Sequence, residues 1–454
     1  MFATRRVVLA LSPLAMLVAG SSALAQNAER MEQVVSASAD ERKFMGAALV
    51  AIGDEILLDE GFGSADLEWN IANTPDTKFR IGSVTKQFTA ASILLLQERG
   101  QLDIDQPVGT YLSDTPASWD AVTLRHLLHH TSGIPNLTDF DDFGTWKYLP
   151  TTREKLIARF AERPLEFTPG EKWSYSNSGY LLLSAVVEDA SGKPYAEFVE
   201  ENIFRPLGMT DTAIDVTSAI VPRRAEGYSP SPSGVVNADY VDMGIPQGAG
   251  ALYSTTHDLL KWQRGLFGGK VVNTRSLAEM TRPAVEAVRQ SSYGMGLLVT
   301  ENEEGTLIWH GGGIEGFNAW LGHDPARDIT VVVLANLNGG EANTLGQSLT
   351  KLARGGEVTL AGERATVDLT AQQLAEYAGS YAVTDHFKIA FRVEDGALVT
   401  QATGQDAYPV FAEGPDRFFL KVVDAQLAFN RNDENEVVSV TLSQGGSETL
   451  ATRE

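Results

Sequence analysis

The sequence contains no cysteine among its 454 residues. Disulfide bonds, thiol nucleophiles and cysteine-ligated metals are therefore excluded. None of the seven histidines lies in an H-E-x-x-H pattern, and no serine lies in a G-x-S-x-G motif. A zinc-protease helix and the nucleophile elbow of an α/β-hydrolase are thus both missing. The cluster His126, His129 and His130 favours helix packing over a metal site, and we predict no metal and no organic cofactor.

Basic residues are scarce, with 36 Lys and Arg against 59 Asp and Glu, which gives a net charge of -23. An acidic surface repels phosphate backbones, so we expect no nucleic-acid partner. The hydrophobic fraction of 43% and the charged fraction of 21% are typical of a globular protein. The length exceeds one ordinary core and predicts two or three structural units.

Long apolar runs are also lacking, apart from residues 7–20. Arg5 and Arg6 precede this run, and residues 23–25 read Ala-Leu-Ala, a typical cleavage site. We therefore predict a cleaved signal peptide over residues 1–25 and a periplasmic or secreted protein, with a buried first helix as the alternative. No later stretch has about 18 uninterrupted apolar residues, so we expect no membrane span.

The pattern of apolar residues predicts an α/β fold. Strand-like segments at residues 46–59 and 307–336 flank a mainly helical stretch. This order favours an antiparallel sheet covered by helices, together with an all-helical subdomain, over residues 30–355. Residues 356–370 show no clear period and are interpreted as a linker. Short alternating runs over residues 371–454 predict a small antiparallel β-barrel.

Residues 83–86 read Ser-Val-Thr-Lys, the first pattern that indicates chemistry. On a helix, residues i and i+3 share a face, so Lys86 can lie beside the Ser83 hydroxyl. A serine becomes a useful nucleophile when a neighbour takes its proton, and a lysine with a lowered pKa can do so. A second copy, Ser-Leu-Thr-Lys at residues 348–351, is interpreted as surface spacing.

Two further motifs follow along the chain. Residues 175–177 read Tyr-Ser-Asn, the only Tyr-x-Asn among twelve tyrosines. Tyr175 could relay a proton, and Asn177 could bind a substrate amide with its donor and its acceptor. Residues 310–313 read His-Gly-Gly-Gly after a strand, and such small residues allow a backbone to approach a substrate closely.

The three motifs in this order resemble the serine β-lactamase and penicillin-binding-protein superfamily, on the branch of class C β-lactamases, D-aminopeptidases, carboxypeptidases and family VIII esterases. Residues 127–133, 204–209 and 248–253 strengthen the resemblance, which covers residues 30–355. The tail resembles lipocalin-like domains attached to some of these hydrolases.

The resemblance implies a role for each motif. Ser83 would attack the carbonyl, and Lys86 with Tyr175 would share general base and acid duty. Asn177 would bind the substrate amide. The other residues that would bind substrate are His310, Gly311, Gly312 and Gly313. The backbone N–H groups of Ser83 and Gly313 would form the oxyanion hole.

His310 stands where the superfamily often has lysine. A neutral histidine binds a substrate carboxylate less well, so the resemblance favours an esterase or D-amino-acid peptidase over a β-lactamase or carboxypeptidase. The competing hypothesis is a non-catalytic penicillin-binding-like protein. The sequence leaves open the physiological substrate, the oligomeric state and the role of the C-terminal domain.

Overall fold

The computed structural model describes residues 13–454 except residues 289, 385, 422–424 and 445–446, without the side chains of residues 13–25, 361 and 447. The chain divides into two compact units, Met1–Gly356 and Glu357–Glu454. All but the first residue of the segment predicted as a linker, residues 356–370, fall within the second unit, where the backbone N–H of Val367 donates to the carbonyl of Ala412.

The structure describes no side chain of the predicted signal peptide, residues 1–25. Residues 1–12 lie outside the described residues, and the backbone is helical from Pro13. Within the described part of the chain, no helix combines the length and the apolar character needed to cross a membrane. Cleavage of residues 1–25 therefore stays a prediction.

The first unit contains twelve α-helices among its described residues. They are α1 Pro13–Asp40, α2 Thr85–Glu98, α3 Leu124–Leu128, α4 Phe143–Trp146, α5 Arg153–Ala161, α6 Asn177–Ser191, α7 Tyr195–Val199, α8 Arg205–Leu207, α9 Gln247–Gly250, α10 Thr256–Phe267, α11 Thr274–Met280 and α12 Glu341–Ala353. Short 3-10 turns lie at Gly82–Val84, Val108–Thr110, Ala117–Trp119 and Leu137–Asp139, and a π-helical turn spans Glu200–Phe204.

The strands of the first unit are β1 Gly46–Ile52, β2 Glu55–Phe62, β3 Ser64–Asp66, β4 Ile71–Ala72, β5 Phe79–Arg80, β6 Ala213–Ile214, β7 Tyr228–Ser231, β8 Gly234–Asn237, β9 Leu252–Ser254, β10 Val285–Glu286, β11 Ser291–Tyr293, β12 Leu298–Asn302, β13 Gly305–Ile314, β14 Phe317–Asp324 and β15 Ile329–Ala335. Eight of them form one antiparallel sheet in the order β10-β11-β12-β13-β14-β15-β1-β2.

The main sheet is covered by helices on both faces. Helices α1 and α12 pack against one another and against strands of the sheet, and α10 packs against β1 and β15. Every residue of β15 is buried, as are the first six residues of β1. A strand covered on both faces needs apolar side chains at every position, which explains the continuous apolar runs. The predicted antiparallel sheet flanked by helices is confirmed.

Helix α2 lies inside the helical part of the first unit. It packs against α6 and α9, and nearly all its residues are buried, including the polar Thr85, Lys86 and Gln87. Such a helix has no solvent face, so its polar side chains require partners inside the protein. This placement removes Lys86 from water.

The second unit is a closed antiparallel barrel, as predicted. Its strands are β16 Gly379–Thr384, β17 Phe387–Glu394, β18 Ala397–Ala402, β19 Ala407–Gly414, β20 Arg417–Leu420, β21 Ala425–Arg431, β22 Val437–Gln444 and β23 Ser447–Arg453, with a 3-10 turn at Ala361–Glu363 and helix α13 Ala371–Ala375 before them. Aromatic rings fill the interior, where Tyr381, Phe391 and Phe429 lie in contact. The barrel core is therefore packed with side chains.

Candidate active site

Ser83 lies on the 3-10 turn Gly82–Val84, and α2 begins two residues later. A 3-10 turn therefore precedes the α-helix that carries Lys86. Gly82 has φ +49, and a Cβ there would lie 2.8 Å from the Gly313 nitrogen. A Cβ on Gly312 would lie 2.0 Å from the Ile81 carbonyl oxygen. Strand β13 therefore approaches the serine turn only because glycines stand at these positions.

Lys86 is fully buried and directs its amine at three oxygen atoms. Its Nζ lies 3.0 Å from Ser83 Oγ, 2.8 Å from Asn177 Oδ1 and 2.8 Å from the Ala249 carbonyl oxygen. Among the residues that the structure describes, no carboxylate pairs with this amine. Burial without a counter-charge disfavours the ammonium, so the pKa of Lys86 lies well below its usual range.

Tyr175 supplies the second contact to the nucleophile. Its hydroxyl donates to Ser83 Oγ over 2.8 Å, and Lys86 Nζ lies 4.8 Å from the centre of its ring. Burial raises the pKa of the phenol above its usual range, with the hydrogen bond to Ser83 as a smaller, opposing effect. Tyr175 is therefore a proton donor at neutral pH, while Lys86 is the group that can accept a proton.

Hydrogen bonds from the backbone fix the motif that carries Tyr175. The Ser176 N–H donates to His130 Nδ1 and the Asn177 N–H donates to Asn136 Oδ1. Asn177 also donates from Nδ2 to Thr138 Oγ1, which leaves its Oδ1 to accept from Lys86. This arrangement sets the orientation of the Asn177 amide by hydrogen bonding.

Ser83 opens into a cavity of about 210 Å³. Apolar side chains form much of its wall, and Asn177, Gly313 and Glu315 also line it. The apolar lining residues include Leu137, Phe143, Leu181, Val241, Ile245 and Ile314. A small apolar cavity with few polar groups is typical of a substrate pocket.

His310 is not among the residues that line this cavity, and its role in substrate binding stays a prediction. It is only 4% exposed, its Nε2 lies 3.1 Å from the Tyr293 hydroxyl, and its Nδ1 contacts the Gly311 carbonyl oxygen. Burial, with the nearby Lys86 as a second cause, lowers the pKa of His310 to about 4. The ring is therefore neutral, and both of its nitrogens have partners within the protein.

A chain of hydrogen bonds connects His310 to the Tyr175 motif. His130 Nδ1 accepts from the Ser176 N–H, and His130 Nε2 lies 3.1 Å from the Tyr293 hydroxyl. Tyr293 in turn contacts His310 Nε2. If both rings are neutral, each group donates to the next one, ending at the Gly311 carbonyl. We call the three side chains His130, Tyr293 and His310 the histidine–tyrosine relay.

The sequence motifs did not identify every group of the site. The Ala249 carbonyl, His130 and Tyr293 were not predicted to contribute. Two of them lie in stretches that strengthened the family resemblance, residues 127–133 and 248–253, so a signal was available there. The predicted residues Ser83, Lys86, Tyr175, Asn177 and Gly313 are brought together, and Gly311 and Gly312 lie on the same strand. The described residues contain no group of three or more potential metal ligands.

Comparisons with known proteins cover both units. A family model described as Beta-lactamase matches residues 31–353, and one described as a domain of unknown function (DUF3471) matches residues 363–452. Penicillin-binding protein 4* of Bacillus subtilis (strain 168) is 28% identical over 443 residues, which cover 91% of this chain and 96% of that protein.

Two further relatives match mainly the first unit. Esterase EstB of Burkholderia gladioli is 30% identical, and the alignment covers 68% of this chain and 90% of that protein. The crystal structure of D-amino acid amidase from Ochrobactrum anthropi SV3, complexed with L-phenylalanine amide, has 26% identity and a TM-score of 0.62. It covers 72% of this chain and 96% of that chain.

Proposed function

The chain belongs to the beta-lactamase family, and on this basis we propose that it is a serine hydrolase that cleaves ester or amide bonds through an acyl-enzyme on Ser83. One observation carries the proposal. The Ser83 hydroxyl contacts both a buried amine, at 3.0 Å, and a phenol, at 2.8 Å. These two groups have pKa values shifted in opposite directions, which assigns Lys86 as base and Tyr175 as acid.

In acylation, Ser83 Oγ forms a bond to the substrate carbonyl carbon while its proton passes to Lys86 Nζ. The hydrogen bonds that Lys86 donates to Asn177 and Ala249 leave its lone pair directed at Ser83. The carbonyl electron pair moves onto oxygen, where we assign the backbone N–H groups of Ser83 and Gly313 as donors. Both residues line the cavity, which supports this assignment.

Collapse of the tetrahedral intermediate breaks the bond to the leaving group. The leaving oxygen or nitrogen takes a proton from Tyr175, and the proton held by Lys86 restores the phenol. Water then adds to the acyl carbon and gives one proton to Lys86. The bond between carbon and Ser83 Oγ breaks, and that proton returns to Ser83. The products are a carboxylic acid and an alcohol or amine.

The catalytic groups all lie within residues 30–355, which we propose as the hydrolase domain, with residues 371–454 as a separate barrel domain. Two of the relatives are named as an esterase and a D-amino acid amidase. On this basis we propose short esters or D-amino-acid amides and peptides as the substrate class. The apolar cavity beside Ser83 could hold a small acyl group, which supports this substrate class.

The test compares the protein with Ser83→Ala and with Ser348→Ala, which alters the second Ser-x-x-Lys copy. Turnover of p-nitrophenyl butyrate, D-alanine p-nitroanilide and nitrocefin is measured, together with fluorophosphonate labelling and peptide mapping. We expect turnover of an ester or anilide that is lost only in Ser83→Ala, and an adduct on Ser83. Absence of both turnover and labelling would refute the hydrolase and favour a non-catalytic binding protein, whereas turnover of nitrocefin alone would favour a β-lactamase.

We also propose export, with removal of residues 1–25. The supporting observations are Arg5 and Arg6, the apolar run after them and the Ala-Leu-Ala at residues 23–25. Expression of the full chain in a bacterium followed by N-terminal sequencing should give a product that begins at Gln26 outside the cytoplasm. An uncleaved chain retained in the cytoplasm would refute this.

A further inference from the structure

The cavity beside Ser83 carries one charged group on its wall. Among the described residues that line it, Glu315 alone has an ionisable carboxylate or ammonium, and the other polar side chains are neutral. Lys86 and His310 are not among the residues that line this cavity, and burial disfavours the charged form of both side chains. Glu315 is therefore the charged group that a substrate in this cavity would meet.

Hydrogen bonds from a neighbouring side chain hold the backbone turn that carries Glu315. Glu315 lies in the turn between β13 and β14, directly after Ile314. Asn338 holds this turn, since its Oδ1 accepts from the Gly316 N–H and its Nδ2 donates to the Ile314 carbonyl. A carboxylate on a turn fixed in this way is pre-organised relative to Ser83.

Outside the cavity, Glu315 pairs with a lysine that has two acidic partners. Lys147 Nζ lies 3.0 Å from Glu315 Oε1 and 3.3 Å from Asp239 Oδ2. The side chains of Lys147 and Glu315 are 13% and 21% exposed, so both are largely shielded from water. The group of three carries two negative charges and one positive charge and is therefore net negative, with the carboxylate of Glu315 on the cavity wall and that of Asp239 70% exposed.

We propose that Glu315 selects substrates by charge: the cavity accepts acyl groups that are neutral or carry an ammonium, and disfavours acyl groups that carry a carboxylate. This inference deepens the proposed function and rests on it for the identity of the reaction. A carboxylate near Glu315 would meet a like charge in a poorly solvated site, whereas an ammonium would meet an opposite one. Lys147 orients Glu315 and partly offsets its charge.

Three p-nitrophenyl esters test the proposal, because they share a leaving group and a four-carbon acyl chain. They are the butyrate, the hemisuccinate with a terminal carboxylate, and the 4-trimethylammonio-butanoate with a terminal cation. The measured quantity is the ratio of kcat/KM for the cationic ester to that for the anionic ester, after subtraction of the rate with Ser83→Ala. We expect a ratio well above one that falls when the salt concentration rises.

Two variants should move this ratio in opposite directions. Glu315→Gln removes the negative charge and should lower the ratio roughly tenfold. Lys147→Gln leaves Glu315 without its cation and should raise the ratio. Glu303→Gln removes the same charge from an exposed residue near the other end of β13 and should leave the ratio unchanged. Equal changes for all three esters, or no change with Glu315→Gln, would overturn the proposal.

A binding measurement separates this proposal from the proposed function. The three corresponding primary amides are titrated into Ser83→Ala, in which no turnover occurs. If binding follows the charge order but the unmodified protein hydrolyses none of the esters, the charge selection stands and the hydrolase assignment fails. If Ser83-dependent turnover occurs without any charge order in rates or binding, the hydrolase stands and the charge selection fails.

Discussion

Two segments of the first unit contain nearly the same four residues, Ser-Val-Thr-Lys at residues 83–86, where α2 begins, and Ser-Leu-Thr-Lys at residues 348–351 in α12. In both copies the spacing brings serine and lysine to one side of the chain. Lys86 is fully buried against neutral oxygen atoms, whereas Lys351 is exposed to solvent near the end of α12. The two pairs therefore differ in their surroundings and not in their spacing.

The difference shows what converts this spacing into a chemical site. Helix α12 buries one apolar face against the sheet and leaves Lys351 in water, where an ammonium is well solvated. Helix α2 is enclosed on all sides, and desolvation there favours the neutral amine. A base beside a serine thus depends on the tertiary position of the helix, which removes the lysine from water without giving it a carboxylate.

Removal of each lysine in turn should show the largest difference between the two pairs. Lys86→Met preserves the length of the side chain but removes the base, and should lower kcat/KM roughly 10³-fold. Lys351→Met should leave the rate unchanged. Both variants are assayed with p-nitrophenyl butyrate, and circular dichroism confirms that each is folded. A folded Lys86→Met protein with a near-normal rate would disprove the role of the buried amine.

Tyr175 donates to the serine of the first pair, and the loss of its hydroxyl should have the next largest effect. Tyr175→Phe removes the proton donor and should lower kcat roughly 10²-fold for an anilide. The effect should be smaller for a p-nitrophenyl ester, because p-nitrophenolate leaves without a proton. Tyr408→Phe, in the barrel, is the control. Equal losses for both substrates would contradict the assignment of Tyr175 as the acid.

Local sequence predicted much of the fold. The β1–β2 hairpin turns at Gly53-Asp54, and β17 and β18 meet at Asp395-Gly396, where positive φ values of 48 and 81 suit such residues. The sequence predicted the barrel from short alternating runs, and the structure has eight strands. Strands β16 and β23, which pair with one another to close the barrel, offer few large apolar side chains as a sequence signal.

In the candidate active site, too, some features could be predicted from local sequence and others depend on tertiary packing. Ser83 with Lys86, and Tyr175 with Asn177, are close in sequence within each motif and could be predicted as pairs. The position of His310 could not, since it depends on Tyr293 from β11, which reaches it through the packed core. The orientation of a side chain within a core is a tertiary property that motif spacing does not contain.

The pH dependence of the free energy of unfolding tests whether the buried His310, near the first pair, resists protonation. A histidine in an unfolded chain has a pKa near ~6.5, whereas the pKa of His310 in the folded protein is about 4. Between these values the unfolded chain binds the proton and the folded protein does not. The free energy of unfolding should therefore fall as pH falls through this window, with a contribution from His310 of about 2 kcal/mol at pH 5.

Urea unfolding at pH 7 and pH 5 measures this contribution. All seven tryptophans precede residue 357, so their fluorescence reports the first unit. His310→Gln should reduce the difference in stability between the two pH values by about 2 kcal/mol. His386→Gln, which changes an exposed histidine of the barrel, should leave it unaltered. An undiminished difference in His310→Gln would show that the ring does not resist protonation.

Changes in the histidine–tyrosine relay should have the smallest effect on the rate, because the relay contacts the first pair indirectly, through the motif of Tyr175 and the strand that carries Gly313. Tyr293→Phe leaves His130 and His310 without their shared hydroxyl, but it keeps the ring that fills the space between them. A lost partner for two buried groups costs about 1–3 kcal/mol, and part of this cost should appear as less precise positioning. We expect a decrease in kcat of about fivefold with a smaller change in KM. A structural role alone would lower the free energy of unfolding and leave kcat unchanged, and this outcome would separate the relay from the reaction at Ser83.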